Sequence, residues 1–155
     1  MKSRGIKRHK ALQPLSRHHH HDLVMAHRLM KAGTEASPFT NDELKEQLQK
    51  FWDSGGNDHF REEEALLFSS YAKYASLDQP ENVENLLERA LTRSKVQQLL
   101  TQSSISEALM HELGSLLEGR IRKEERVLFP MIERALPEEE LEKLGPEFTE
   151  MTHHR

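Results

Sequence analysis

A ten-residue stretch that occurs twice sets the frame for the whole chain. Residues 59–68 read HFREEEALLF and residues 120–129 read RIRKEERVLF, and at this offset Arg61 matches Arg122, Glu63 matches Glu124, Glu64 matches Glu125, Leu67 matches Leu128 and Phe68 matches Phe129. Residues four apart on a helix stack on one face. Each copy can therefore aim its first side chain and its Glu into a shared interior, with an apolar Leu-Phe pair close behind. In the first copy the pair is His59 and Glu63, an H-x-x-x-E arrangement that can grip a metal ion. In the second copy the partner of Glu124 is Arg120.

A chain of 155 residues with 31% charged and 35% hydrophobic content is long enough to bury one core and reads as a single soluble helical domain. No apolar run approaches the ~20 residues of a membrane span, so a membrane partner is not expected. The basic start, MKSRGIKRHK, has no apolar segment after it and does not read as a secretory signal; a cytoplasmic location is the expectation. That basic charge sits in a short terminal stretch of a protein with net charge -4, which reads as a solvated arm over residues 1–11 rather than a nucleic-acid surface. With no cysteine, a metal could be held only by His and carboxylates.

Pro14 and Ser16 open a first helix whose stripe is Leu12, Leu15, Leu23, Ala26 and Met30, with Gly33 as its stop. His19 falls on that stripe within the run His18 to His21, of which a helix can turn only one or two inward. A second helix starts at Thr40 with a capping box to Glu43 and runs to about Tyr74, interrupted or kinked at DSGGN; its stripe is Leu48, Trp52, His59, Glu63 and Leu66. Asp78 and Pro80 begin a third, with apolar positions Val83, Leu86, Leu87, Ala90, Leu91 and Val96. The fourth starts at Ser104, capped to Glu107, and continues to about Ala135 along Leu109, Leu113, Leu116, Arg120, Glu124, Val127 and Met131. Pro130 should loosen its last turns. A short helix from Pro137 to Leu144, stopped by Gly145, leads into a tail. The expected fold is all-α: an up-down-up-down four-helix bundle over residues 12–136, followed by a short helix and tail over 137–155.

The segments LSRHHHHDL at 15–23, HFREEEALLF at 59–68, LLERALTR at 86–93 and LLEGRIRKEERVLFP at 116–130 resemble, in order and spacing, the hemerythrin-like (HHE cation-binding) family. The resemblance implies a bundle with a non-haem di-iron site, used to bind oxygen, to sense oxygen, iron or nitric oxide, or to repair iron centres. Carried over residue by residue, the first-helix ligand falls on His19 or His20, the second-helix pair on His59 and Glu63, and the fourth-helix carboxylate on Glu124. The third-helix histidine position falls on Arg89 and the fourth-helix one on Arg120. Both departures would strip one metal of its ligands.

An arginine offers no lone pair and its guanidinium repels a cation. Arg89 and Arg120 could instead balance Glu63 and Glu124, which would otherwise each cost several kcal/mol to bury unpaired. Three states follow: a metal-free bundle with an Arg-Glu network; a single metal, iron or else manganese or zinc, on His19 or His20, His59, Glu63 and Glu124; or a dinuclear iron centre that borrows Glu62, Glu64 or Glu125. The function classes are a metal-binding or diatomic-gas-sensing module, a metal-free interaction or scaffold bundle, and an oxidoreductase, against which the missing histidines count. His111 and His27 are expected to be solvated, and His9, His153 and His154 to lie in tails.

Overall fold

The stripes read from the sequence become rods in the computed structural model, which describes residues 8–153 and, within them, the side chains of all but 55–57, 59–60 and 151–153. A 3-10 turn, Lys10–Leu12, leads into α1 (Gln13–Met30), whose Pro14 stands in the first turn, where no N–H is needed. Gly33 follows it at φ 76°, a conformation other residues resist. Helix α2 (Asn41–Phe51) begins with the capping box of Thr40 and Glu43 in reciprocal hydrogen bonds of 3.1 and 2.8 Å. A π-helical turn, Trp52–Gly56, carries it into α3 (Asn57–Ala72), so DSGGN is a wide turn inside one rod. Then come α4 (Pro80–Thr101), α5 (Glu107–Lys123), a second π-helical turn (Glu124–Leu128), α6 (Phe129–Ala135) and α7 (Glu138–His153). Among the described residues the fold is all-α, and no helix is long and apolar enough to cross a membrane. Of the stretch read as an arm, Arg8, His9 and Ala11 pack against the bundle while Lys10 is exposed, and residues 1–7 lie outside the described ones.

Four sequence expectations are corrected. The fourth helix is capped by Ser106, whose hydroxyl accepts from the Leu109 N–H at 3.1 Å, and not by Ser104. Its stripe holds at Leu109, Leu113, Arg120 and Glu124, with Leu117 buried beside a half-buried Leu116, and then slips: Leu128 and Ile132 are buried where Val127 and Met131 were expected. The cause is the extra residue of the π-helical turn, in which the Phe129 N–H bonds the Glu124 carbonyl five residues back. The wide turn also stands just before Pro130, which has no N–H to give to a regular ladder.

The third correction concerns α4, which is turned inside out. Val83, Leu86, Leu87 and Leu91 face water, while Asn82, Asn85, Arg89 and Thr92 face in, with only Val96 and Leu99 as buried apolar positions. Fourth, α7 does not stop at Gly145 but runs through Gly145 and Pro146. A Gly and a Pro in a helix interior cost roughly 4 kcal/mol together. Burying Phe148, which lies beyond both, returns about 1.5–3 kcal/mol towards that cost.

The apolar interior falls into two clusters. One gathers Leu12, Leu15, Leu67, Phe68, Leu128, Phe129 and Ile132 from the helix ends that α7 covers. The other gathers Met25, Leu29, Leu44, Leu48, Leu99, Leu113 and Leu117 at the opposite end. Both Leu-Phe pairs of the ten-residue repeat lie in the first cluster, so the two copies face each other. Their glutamates fall at the waist between the clusters.

Candidate metal centre

At that waist the interior is polar. His19, Glu63, Arg89, Arg120 and Glu124 are all buried, Arg89 and Glu124 completely. Helix α1 contributes His19, one turn past Leu15; His20, the alternative, is exposed. Helix α3 contributes Glu63, whereas His59, one turn earlier on the same helix, has its side chain outside the described ones. Helix α4 contributes Asn85 and Arg89, and the α5–α6 rod contributes Arg120 and Glu124.

Glu124 is the hub. Its Oε2 accepts from Arg89 Nη2 at 2.6 Å, Arg120 Nη1 at 2.8 Å and Asn85 Nδ2 at 3.0 Å, while Oε1 meets His19 Nε2 at 2.9 Å. Burial raises a carboxyl's pKa, yet here the two guanidiniums and His19 overcome it and hold Glu124 well below the usual range. Arg89 Nη2 also reaches Glu63 Oε1 at 3.2 Å, and its Nε donates to Asn85 Oδ1 at 2.9 Å. Burial dominates at Glu63 and pushes its carboxyl upward against the pull of Arg89.

His19 is held at both nitrogens. Besides Glu124, it meets Glu125 Oε2 through Nδ1 at 2.6 Å, and its ring stacks on Phe129 at 5.5 Å between centroids. Burial would lower its pKa; the hydrogen bonds to Glu124 and Glu125 outweigh burial and raise it to about 9. Glu125 in turn accepts from Ser16 at 3.0 Å and pairs with Arg8 at 3.1 Å, and the Arg8 guanidinium also lies over the Phe129 ring, 5.3 Å from its centroid.

One ligating atom each of His19, Glu63 and Glu124 lie within 4.8 Å of one another, a spacing that one cation could bridge. The two arginines fall at the positions read from the sequence, pointing inward onto the carboxylates. Of the other candidates, Glu64 binds Arg93 at 2.7 Å, away from the hub, and Glu62 is exposed. His27 is exposed and bonded to Glu118 at 2.9 Å. His111, expected in solvent, is half-buried and meets the Ala32 carbonyl at 2.7 Å. His9 is not a tail residue: its Nδ1 accepts from the Ala11 N–H at 2.9 Å and caps the first turn. His153 and His154 have side chains outside the described ones.

One pairing and two participants escaped sequence reasoning. Glu125 was weighed only as a borrowed iron ligand, and the wide turn at 124–128 brings it back toward α1 as a partner of His19. Asn85 precedes Arg89 by one turn, and Asp22 follows His18 by one turn; that spacing was the available signal for both. Asp22 is buried, its Oδ1 lies 3.8 Å from His18, and burial raises its pKa.

Residues 10–132 match the family described as hemerythrin HHE cation binding domain. The chain belongs to this hemerythrin HHE family. Neither a curated relative nor a solved structure matches it. The match spans α1 to α6, so the HHE region includes every residue of the buried waist. It makes the chain a hemerythrin-like member of a cation-binding family, with a buried His/Glu cluster where a cation could sit.

Proposed function

We propose that the protein is a hemerythrin-like domain with an impaired centre, in which a single divalent cation competes with two arginines for the same carboxylates. The observation that carries this reading is Arg89 Nη2 at 2.6 Å from Glu124 and 3.2 Å from Glu63. A dinuclear iron centre does not fit the described donors. Three ligating side chains are too few for two ions, and the positions that would complete the second are guanidiniums. One ion does fit. His19, Glu63 and Glu124 would hold it, with His59 as a further ligand from α3, and a mix of imidazole and carboxylate suits iron, manganese or zinc. Iron bound there would supply one-electron redox chemistry and a coordination site for a diatomic gas.

To admit the ion, Arg89 or Arg120 must release Glu124 and His19 must lose a proton held with a pKa of about 9. Both requirements weaken binding and tie it to pH. Such a site suits reversible sensing or storage of a cation better than a redox enzyme's resident iron.

A second reading is a metal-free interaction or scaffold module, and charge balance favours it. His19, Arg89 and Arg120 face Glu63, Glu124 and Glu125, so the waist is neutral without an ion. Protein expressed in iron-supplemented medium, and apoprotein titrated with manganese or zinc, separates the two by elemental analysis. At most one ion per chain, abolished by Glu124→Gln, is expected. Two irons per chain would overturn the impaired-centre reading, and none under any condition would establish the metal-free one.

A further inference from the structure

Arg8 belongs to a basic stretch that reads as a solvated arm, yet its side chain is only 6% exposed. Burial leaves part of its hydrogen-bonding capacity unused. Among the described residues its Nε has no partner, and Nη1 has only an ion pair with Glu133 at 3.4 Å. A buried guanidinium left partly unsatisfied calls for an explanation. Nη2 supplies one: it donates both to the backbone carbonyl of Glu125 and to that residue's Oε1, and so clamps main chain and side chain together.

Glu125 is the residue that the wide turn carries back toward α1, and such turns recur at functional sites. Its Oε1 takes Arg8 at 3.1 Å and the Ser16 hydroxyl at 3.0 Å, which leaves Oε2 for His19 Nδ1 at 2.6 Å. Paired with Arg8, Glu125 is a carboxylate and only accepts, so Nδ1 carries the hydrogen of this bond. The ring's other nitrogen, Nε2, is the one turned to the waist, 2.9 Å from Glu124. Phe129 lies flat against the same ring, 5° from parallel, and limits its tilt.

We propose that Arg8 and Glu125 are positioning residues for the cation: together they fix the His19 ring, with Nδ1–H engaged by Glu125 and Nε2 presented to the waist carboxylates. The inference rests on the single-cation reading of the waist and adds two residues outside its ligand set. An outer carboxylate on a ligating histidine sets the ring's tautomer and orientation, and losing it costs roughly 10–100-fold in metal affinity. Here that carboxylate is itself held by a side chain from ahead of the first helix. The centre's grip on a cation therefore depends on how that segment docks.

Zinc titration of the full-length apoprotein against a chromophoric chelator tests this. Glu125→Ala should weaken zinc binding roughly 10–100-fold and Arg8→Met about tenfold, with circular dichroism checking that both variants fold. In the Glu125→Ala background Arg8→Met should change affinity no further, because Arg8 acts through that carboxylate. Glu133→Gln is the control. It loosens the same segment, by removing the charge that faces Arg8 Nη1 and the His9 N–H, and should leave zinc affinity unchanged. The ring is also read without metal. In apoprotein carrying isotope-labelled histidine, the His19 Nδ1–H should give a slowly exchanging signal, identified by its absence from His19→Gln. That signal should vanish in Glu125→Ala and broaden in Arg8→Met. A purely structural Arg8 would lower Tm and leave zinc affinity and the ring signal as they are, which would overturn the proposal. So would an Arg8→Met effect that persists in full without Glu125. A parent chain that takes up no zinc counts against the single-cation reading alone; the ring signal then decides, and one unchanged in both variants overturns the positioning role.

Discussion

Replacing Arg89 by Met keeps most of the side chain's volume and removes its charge from a position with no solvent exposure. Among the described residues, the hydrogen bonds to Glu124 at 2.6 Å, to Glu63 at 3.2 Å and to Asn85 at 2.9 Å go with it. The consequences for the two glutamates differ. Glu124 keeps Arg120, Asn85 and His19, whereas Glu63 loses the guanidinium that opposes its burial. Removing one partner of a buried charge pair costs about 3–5 kcal/mol, because the other is left uncompensated. In a chain of this length that is a fall in Tm of ~10 °C or more. Urea denaturation at pH 7 measures it. The diagnosis is specific enough to be reversed: Glu63→Gln on the Arg89→Met background removes the stranded charge and should recover at least ~1 kcal/mol. Added manganese or zinc should also recover stability if the vacated carboxylates accept a cation, by the linkage between binding and folding. A loss below ~1 kcal/mol for Arg89→Met, or a double variant weaker than the single one, would refute the claim that the guanidinium compensates the waist carboxylates.

Three further outcomes follow from the same interior. Arg89→His with Arg120→His restores the residue type that the family resemblance places at both positions and should raise the metal content of purified protein; uptake no greater than in the parent would refute the idea that arginines block the centre. His19, with its pKa raised from 6.5 to about 9, contributes stability that is complete below about pH 6.5 and fades as pH rises through 9. The loss of roughly 3 kcal/mol should appear in denaturation curves between pH 6 and 10 and be flattened in His19→Gln. Gly114→Ala should lower Tm, because the new Cβ would meet the Ala26 carbonyl oxygen and Met30 Cγ at 2.6 Å where α1 crosses α5; Gly119→Ala, with nothing within 4 Å, should raise it by the helix-propensity gain of up to ~1 kcal/mol.

What the sequence revealed followed from local spacing. The Thr40–Glu43 box, Pro80 and Gly33 are short-range signals, and each marks a helix end as expected. The four-residue offset from Arg120 to Glu124 put both side chains in the interior, and His19 was legible because it shares a face with Leu15. Where local rules failed, tertiary terms had overridden them. Nothing within EERVL announces a wide turn, so the register beyond Glu124 was misplaced by one residue. Gly145 and Pro146 are helix breakers in isolation, and only the burial of Phe148 against the first core cluster explains why α7 continues past them.

The inversion of α4 joins these threads. An apolar stripe points to a core only if the facing surface is apolar, and here the surface facing α4 at the waist is Glu63 and Glu124. A helix presenting Leu87 to the two buried carboxylates would take Arg89 from Glu63 and leave Glu124 only Arg120 and His19, a cost of several kcal/mol against a gain of about 1.5–3 kcal/mol for the leucine. Presenting Arg89 and Asn85 instead satisfies both carboxylates and leaves the leucines to the other side. The electrostatics of the centre thus fix the rotation of α4 about its own axis, and that rotation is what puts Val83, Leu87 and Leu91 on the surface. It follows that the two properties are separable only in one direction. Variants of the outer face, such as Leu87→Glu, should leave the waist intact, whereas loss of Arg89 removes the anchor that sets the rotation and should disturb the outer face as well. Hydrogen exchange along residues 80–101 in both variants checks this: uniform protection loss in α4 is expected for Arg89→Met and local loss for Leu87→Glu, and the reverse pattern would show that the leucines, not the arginine, orient the helix.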